Sequence, residues 1–486
     1  MRALLGPGLL TLAFAFALTG PIARGQDQPK TPPTDVDDRP NILFIYTDDQ
    51  ARWAVGAYGN KEIHTPNLDR IAREGALFQN AFTVTPVCPP SRASMFTSRY
   101  PTQFGIADWI DPKIEPDLGL APSAITWPKL LKARGYSTGL VGKWHLGDHA
   151  QFHPTRQGFN YFYGFLGGGN HSMNPILEVN GVTKTVEGPT ADLIVTEGLR
   201  FIERNRERPF SLSVHFREPH VPYAPVTEED SAHYKDLDPT IPDYPDLPRD
   251  RVKNITKRYY GSVSSVDRNV GRLLARLDEL DLTKKTIVFF TSDHGYMIGH
   301  HGLWHKGNGS WIANGKQGRR PNMFDDSIRV PLLVRWPGVV PPGTTIDRTV
   351  TNLDMFPTLL DMAGVGVPDN LTIQGRSFAP LLRNPKNPLV AWDDTYFGLY
   401  DMHNGATAHM RTIRTPAWKL VRHLEPGVED ELFHLANDPG ETKNLNGASE
   451  HQAQKAALIE ELQRRMTQIQ DPKTSELTAT AKAEGR

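Results

Sequence analysis

One cysteine occurs in the 486 residues, and its neighbours bear on what it can do. The run is Cys88-Pro89-Pro90-Ser91-Arg92, followed by Ala93-Ser94-Met95-Phe96-Thr97. Proline is tolerated in a first helical turn, where its missing N–H would be orphaned anyway. The order of residues predicts a short helix with Cys88 at its N-terminal end. Free N–H groups and the helix dipole favour negative charge there. A thiol, or a nucleophile made from one, is favoured at such a place, and Arg92 is positioned to hold an anion. A lone cysteine is more often a small buried apolar residue. The flanking prolines, hydroxyl and guanidinium shift the reading to chemistry.

Two further clusters point the same way. The apolar run 41–46 ends directly in Thr47-Asp48-Asp49-Gln50. A second apolar run, 286–291, ends in Ser292-Asp293-His294-Gly295. Continuous apolar runs of this length read as buried parallel strands. Open α/β sheets bind ligands at the carboxyl ends of such strands. Like charges delivered to one place need a cation. The run Gly142-Lys143-Trp144-His145-Leu146-Gly147 follows a predicted strand. Lys143 and His145 alternate along an extended chain and so share a face. Gly135-Tyr136-Ser137-Thr138-Gly139 has the letters of a nucleophile elbow, but the order here is helix, turn, strand, and the elbow needs strand, turn, helix. His220 follows another apolar strand within Glu218-Pro219-His220-Val221-Pro222.

These motifs together resemble the sulfatase family. Cys88, Pro90, Ser91, Arg92 and Thr97 match its Cys-x-Pro-Ser-Arg signature, with Ser98 where a glycine is common. Gly142 to Gly147 matches the second signature in full. The resemblance implies that Cys88 is oxidised to formylglycine by a maturation enzyme. It also implies that Asp48, Asp49, Asp293 and His294, with the modified Cys88, hold one divalent cation, calcium. Asparagine is commoner at position 294. Calcium prefers oxygen donors and imidazole suits borderline metals, so His294 bears on metal identity. By the same resemblance Arg92 and Lys143 bind sulfate and the nucleophile, and Asp293 helps deprotonate it. His145 accepts a proton, and His220 or Lys306 protonates the leaving alcohol. The glycine-rich loop ending in Asn170-His171, and His301, Trp304 and His305 before Lys306, are expected to touch a sulfated carbohydrate. A phosphonate monoester or phosphodiester hydrolase of the same superfamily is the nearest rival. A non-catalytic carbohydrate-binding protein is the other, and the intact constellation argues against it.

The implied fold is α/β. A large mixed β-sheet lies between helices, as in alkaline phosphatases, with a smaller C-terminal antiparallel sheet plus helix. Helices are predicted over 66–75, 126–134, 190–205 and 255–280, and strands over 137–141 and 210–216. Composition shifts after Pro380, where short strand candidates at 394–400, 412–413, 418–422 and 431–435 precede a helix at 452–469. The expected division is a catalytic domain at 39–380, a subdomain at 381–470 and a frayed tail at 471–486. Arg2, an apolar run and Ala23-Arg24-Gly25 mark residues 1–25 as a signal peptide, and residues 26–38 as a Pro/Thr/Asp-rich linker. A periplasmic or secreted protein without stable membrane insertion is expected. One cysteine makes no internal disulfide, so the thiol is buried or chemical. The near-balanced charge offers no basic face for nucleic acid.

Overall fold

The computed structural model describes residues 39–385 and 391–477; the expected signal peptide and linker lie outside the described residues. A ten-stranded mixed sheet forms the centre. Its strands, in spatial order, are Thr344–Thr351, Ala76–Phe82, Leu332–Arg335, Thr286–Ser292, Asn41–Asp48, Phe210–Pro219, Ser137–Lys143, Tyr161–Phe165, Ile176–Val179 and Val182–Thr185. The five from Thr286–Ser292 to Tyr161–Phe165 run parallel to one another. Leu332–Arg335 is antiparallel to both of its neighbours.

The unbroken apolar runs have a direct cause. Side chains alternate across a strand, and here both faces are covered. Ile42, Phe44 and Tyr46 enter one core with Ile287 and Phe289. Leu43 and Ile45 enter the other with Val288 and Phe290. The first core is closed by residues of the helices Cys88–Thr97, Trp127–Ala133 and Met355–Met362. The second is closed by residues of Pro66–Glu74, Thr190–Asn205 and Arg249–Glu279. Truncating a residue such as Phe44 to alanine in so dense a layer costs about 3–5 kcal/mol. The layer therefore holds the strand ends rigidly. Thr126 stands at the expected helix cap, but its hydroxyl donates to Gln157 O at 2.7 Å instead of capping the helix.

The strands Tyr396–Met402, Ala408–Arg414, Trp418–His423 and Glu431–His434 form the smaller antiparallel sheet. Helix Gln452–Gln468 lays Leu458, Leu462 and Met466 against it. Residues 471–477 differ from the frayed end expected for them. Leu477 is fully buried, and Asp471 pairs with the buried Arg411 at 2.6 Å. Apolar burial and a desolvated ion pair hold that segment down. Among the described residues no helix is long and apolar enough to cross a membrane.

Candidate active site

Strands Asn41–Asp48 and Thr286–Ser292 are adjacent, with Thr47 opposite Ser292. They release Asp48, Asp49, Asp293 and His294 at the same edge. Asp293 N donates to Thr47 O at 3.1 Å, and Asp49 N to Asp293 Oδ1 at 3.3 Å. Asp49 turns the chain with φ of +68°, a region uncommon outside glycine. Tyr259 fixes that turn by donating its hydroxyl to Asp49 O at 2.6 Å. Helix Cys88–Thr97 begins at Cys88 with prolines in its first turn. The thiol sits 3.3 Å from Asp48 Oδ1 and 3.3 Å from His294 Nε2. The Ser91 hydroxyl donates to Asp293 O, tying the helix to the second strand.

Three buried cations face the carboxylates. Lys143 Nζ donates to Asp48 Oδ2 at 2.5 Å, and Lys306 Nζ to Asp49 Oδ1 at 2.8 Å and to Cys88 Sγ at 3.1 Å. Arg92 grips Asp293 Oδ2 through Nε and Nη2 at 3.1 and 3.0 Å. Burial alone would raise the Asp48 carboxyl, yet Lys143, with His220, Lys306 and Arg92 behind it, holds it well below its ordinary range. Burial, with Asp48 beside it, raises Asp293. Burial and the Asp48 charge push the Cys88 thiol up to about 12, so the unmodified residue is a thiol rather than a thiolate.

The donor set fits a divalent cation. Ligand atoms of Asp48, Cys88, Asp293 and His294 all lie within 4.8 Å of one another. His294 Nδ1 is 2.9 Å from Gly295 O, which can only accept, so its proton sits there and Nε2 keeps a lone pair. That Nε2 lies 3.3 Å from Asp293 Oδ1 and 3.4 Å from Asp49 Oδ1. Adjacent oxygen ligands about 2.4 Å from one hard cation have spacings of this size. Asp49 Oδ2 is buried with no hydrogen-bond partner, an acceptor without a donor.

His145 reaches the site differently from the extended alternation expected. The strand ends at Lys143, and His145 has φ of +59°. Upstream in the strand, position 142 must be glycine: its φ is +111°, and a Cβ there would lie 1.8 Å from His215 O. Burial and the charge of Lys143 hold the His145 ring well below its ordinary pKa, so it is neutral. His220 Nε2 lies 3.9 Å from Asp49 Oδ2, while its Nδ1 donates to Val221 O at 2.8 Å.

The residues expected to touch substrate separate into groups. His305 adjoins the site; burial lowers its ring to about 4, and Asp49, Lys306 and His220 all act on it. Trp304 stacks on His305 with centroids 4.4 Å apart and donates Nε1 to Tyr223 OH. The Asn170 side chain is used by its own loop, bonded to Ile176 N and O and to His171 N. The exposed His171 lines a cavity of about 810 Å³ with Asp148, Phe165 and Val221. His301 lies instead in a separate cavity with Tyr244 and Trp311, stacked on Phe324 at 3.7 Å. Two contributors escaped sequence reasoning. The Tyr46 ring lies 5.0 Å under the Arg92 guanidinium, and His215 Nδ1 is 3.1 Å from Lys143 O. A histidine inside the otherwise apolar and small-residue run 210–216 was the available signal.

Similarity to known proteins agrees with this geometry. The sulfatase family model matches residues 40–365, and the C-terminal model of N-sulphoglucosamine sulphohydrolase matches residues 318–471. The steryl-sulfatase of Mus musculus is 30% identical, covering 85% of this chain and 79% of its own. An N-acetylglucosamine-6-O-sulfatase of Bacteroides thetaiotaomicron is 27% identical, covering 89% of this chain and 87% of its own. A protein solved in complex with its substrate D-glucosamine-2-N,6-O-disulfate superposes with a TM-score of 0.78 at 25% identity, covering 89% of this chain and 98% of that one. The chain belongs to the sulfatase family and is a sulfuric ester hydrolase.

Proposed function

We propose that this protein is a periplasmic or secreted sulfatase that removes sulfate from a carbohydrate. In this reading Cys88 is converted to formylglycine by a maturation enzyme. Asp48, Asp49, Asp293 and His294 hold one divalent cation, calcium. The observation that carries the reading is the convergence of Cys88, three carboxylates, the His294 lone pair and three cations at one strand edge. The sugar assignment is supported by the N-acetylglucosamine-6-O-sulfatase relative and by the disulfated glucosamine bound to the structural neighbour. The catalytic part is residues 39–380, and 381–470 form the subdomain behind it.

When present, the formylglycine hydrate supplies an oxygen nucleophile, and the cation polarises it and the sulfate oxygens. The chain's own groups do the rest. Arg92 and Lys143 line the nucleophile side with fixed positive charge, suited to oxygens that gain charge during transfer. Asp293, its carboxyl raised by burial and by Asp48, takes the proton of the attacking hydroxyl. Of the two expected proton donors, Lys306 keeps its proton: burial disfavours its charge, but the Asp49 carboxylate raises it well above the ordinary range. Burial lowers the His220 ring to about 3, and its Nε2 faces Asp49 Oδ2 at 3.9 Å. The leaving alcohol takes its proton from Lys306 or His220. His145, neutral and with its Nδ1 unbonded, accepts the proton whose removal releases sulfate.

The test uses protein made with the maturation machinery. Turnover of an aryl sulfate is expected to exceed that of an aryl phosphodiester. Peptide mass spectrometry is expected to show loss of the thiol at Cys88, and Cys88→Ala to abolish turnover. Full activity with unmodified Cys88, or a preference for the diester, overturns the reading.

A further inference from the structure

The segment that follows Lys306 folds back on itself and is tied to Pro86, two residues before Cys88. Gly307 N donates to Pro86 O at 3.2 Å, Arg320 N to Gly309 O at 2.8 Å, and Asn322 Nδ2 to Lys306 O at 3.0 Å. Arg319 bridges to Ser310, so the segment is a closed hairpin rather than a loose loop. The exposed guanidinium of Arg319 donates Nη1 to Asn308 O at 2.8 Å, two residues beyond Lys306. Its other near neighbour is the turn at Gly405, where a Cβ would lie 3.7 Å from Nε. The charge of Arg319 acts on His305, the ring that also feels Asp49, Lys306 and His220.

The other cations here have partners: Lys316 bonds Tyr244 OH and lies over the Trp311 ring, and Arg251 lies over the Trp304 ring, neither in an ion pair among the described residues. Arg92, Lys143 and Lys306 each face a carboxylate, and Arg320 is paired with Glu431. Among the described residues Arg319 has a carbonyl partner and no ion pair. A guanidinium offers five N–H donors, in a planar fork that matches carboxylate or sulfate oxygens. Held by one donor on Asn308 O, the exposed guanidinium keeps further donors for an anion.

We propose that Arg319 is a specificity-determining residue that binds a second anionic group of the substrate, a sulfate or a carboxylate, while the ester sulfate occupies the site beside Cys88. This rests on the sulfatase reading. It makes the preferred substrate a sugar carrying at least two negative groups.

The test compares wild type, Arg319→Ala and Arg319→Lys on four compounds. These are 4-methylumbelliferyl sulfate, glucosamine 6-sulfate, glucosamine-2-N,6-O-disulfate and a monosulfated disaccharide bearing a uronate. Arg319→Ala is expected to lower kcat/KM about tenfold or more on a compound with a second anion, the size of a lost charge-assisted contact. Less than twofold change is expected on the two singly charged compounds. Arg319→Lys recovers part of the loss. The disulfate and uronate arms identify which anion is read. Equal losses on all four compounds, or no loss on any, overturn the proposal while leaving the sulfatase reading intact. Failure of the wild type to turn over any sulfate ester overturns that reading and this proposal with it.

Discussion

Replacing Gly168 by alanine isolates the role of His145. A Cβ built on Gly168 lies 2.5 Å from both Cε1 and Nε2 of the His145 ring. Ordinary contact begins at 3.4 Å, so the added methyl must displace the ring by about 1 Å. The ring is the far end of a side chain and can yield without unfolding the loop. Stability is therefore expected to change by no more than about 0.5–1 kcal/mol. Catalysis is more sensitive: a misplacement of about 1 Å at a proton-transferring group costs on the order of a hundredfold. The neighbouring Gly169 supplies the control, since a Cβ there meets nothing within 4 Å. The assay is kcat on an aryl sulfate for Gly168→Ala and Gly169→Ala, with melting temperature and metal content measured on the same samples. The expected result is a loss of about a hundredfold in kcat for Gly168→Ala only, with metal retained. Full activity of Gly168→Ala, or equal impairment of both variants, would refute the placement of His145 as the proton acceptor.

Two other perturbations test separate parts of the molecule. His294→Asn exchanges the Nε2 donor for an amide oxygen, so competition binding should shift preference towards Ca²⁺ over softer divalent ions. Retained metal with the same preference and a turnover loss of about a hundredfold would make His294 an acid–base group instead. In the small sheet, burial would raise Asp401, but bonds from His409 and Arg411 outweigh it and hold the carboxyl at about 2. A folded pKa below the unfolded value stabilises the fold above about pH 4, and the contribution is lost as pH falls through about 2. Asp401→Asn should thus cost roughly 2 kcal/mol by denaturant titration at pH 7. The gap to wild type should close near pH 2, and a pH-independent gap would count against the ion-pair account.

Much of this protein is local in its sequence. The strands that begin at Asn41 and Thr286 were legible because burial on both faces demands an apolar residue at every position. The prolines after Cys88 marked a helix start because they suit only its first turn. The acids at the strand ends called for positive charge nearby, because like charges do not share a site without it, and Arg92, Lys143 and Lys306 face them. Other features needed the tertiary structure. That the two acid-bearing strands are neighbours, with Thr47 against Ser292, follows from sheet order, which no local pattern encodes. That position 142 must be glycine follows from the close approach of His215 O across the sheet, and the left-handed φ of His145 likewise shows only in the folded chain. His301 and His305 are four residues apart in sequence yet separate in space, because His301 lies in the turn before the strand Leu303–His305 and His305 ends that strand, next to Lys306. Arg319 has no motif of its own. Only the fold of the segment brings its guanidinium onto Asn308, two residues from Lys306. Chemistry that resides in residue types could be read along the chain, whereas distances between residues far apart in sequence are set by packing and became definite only in the folded molecule.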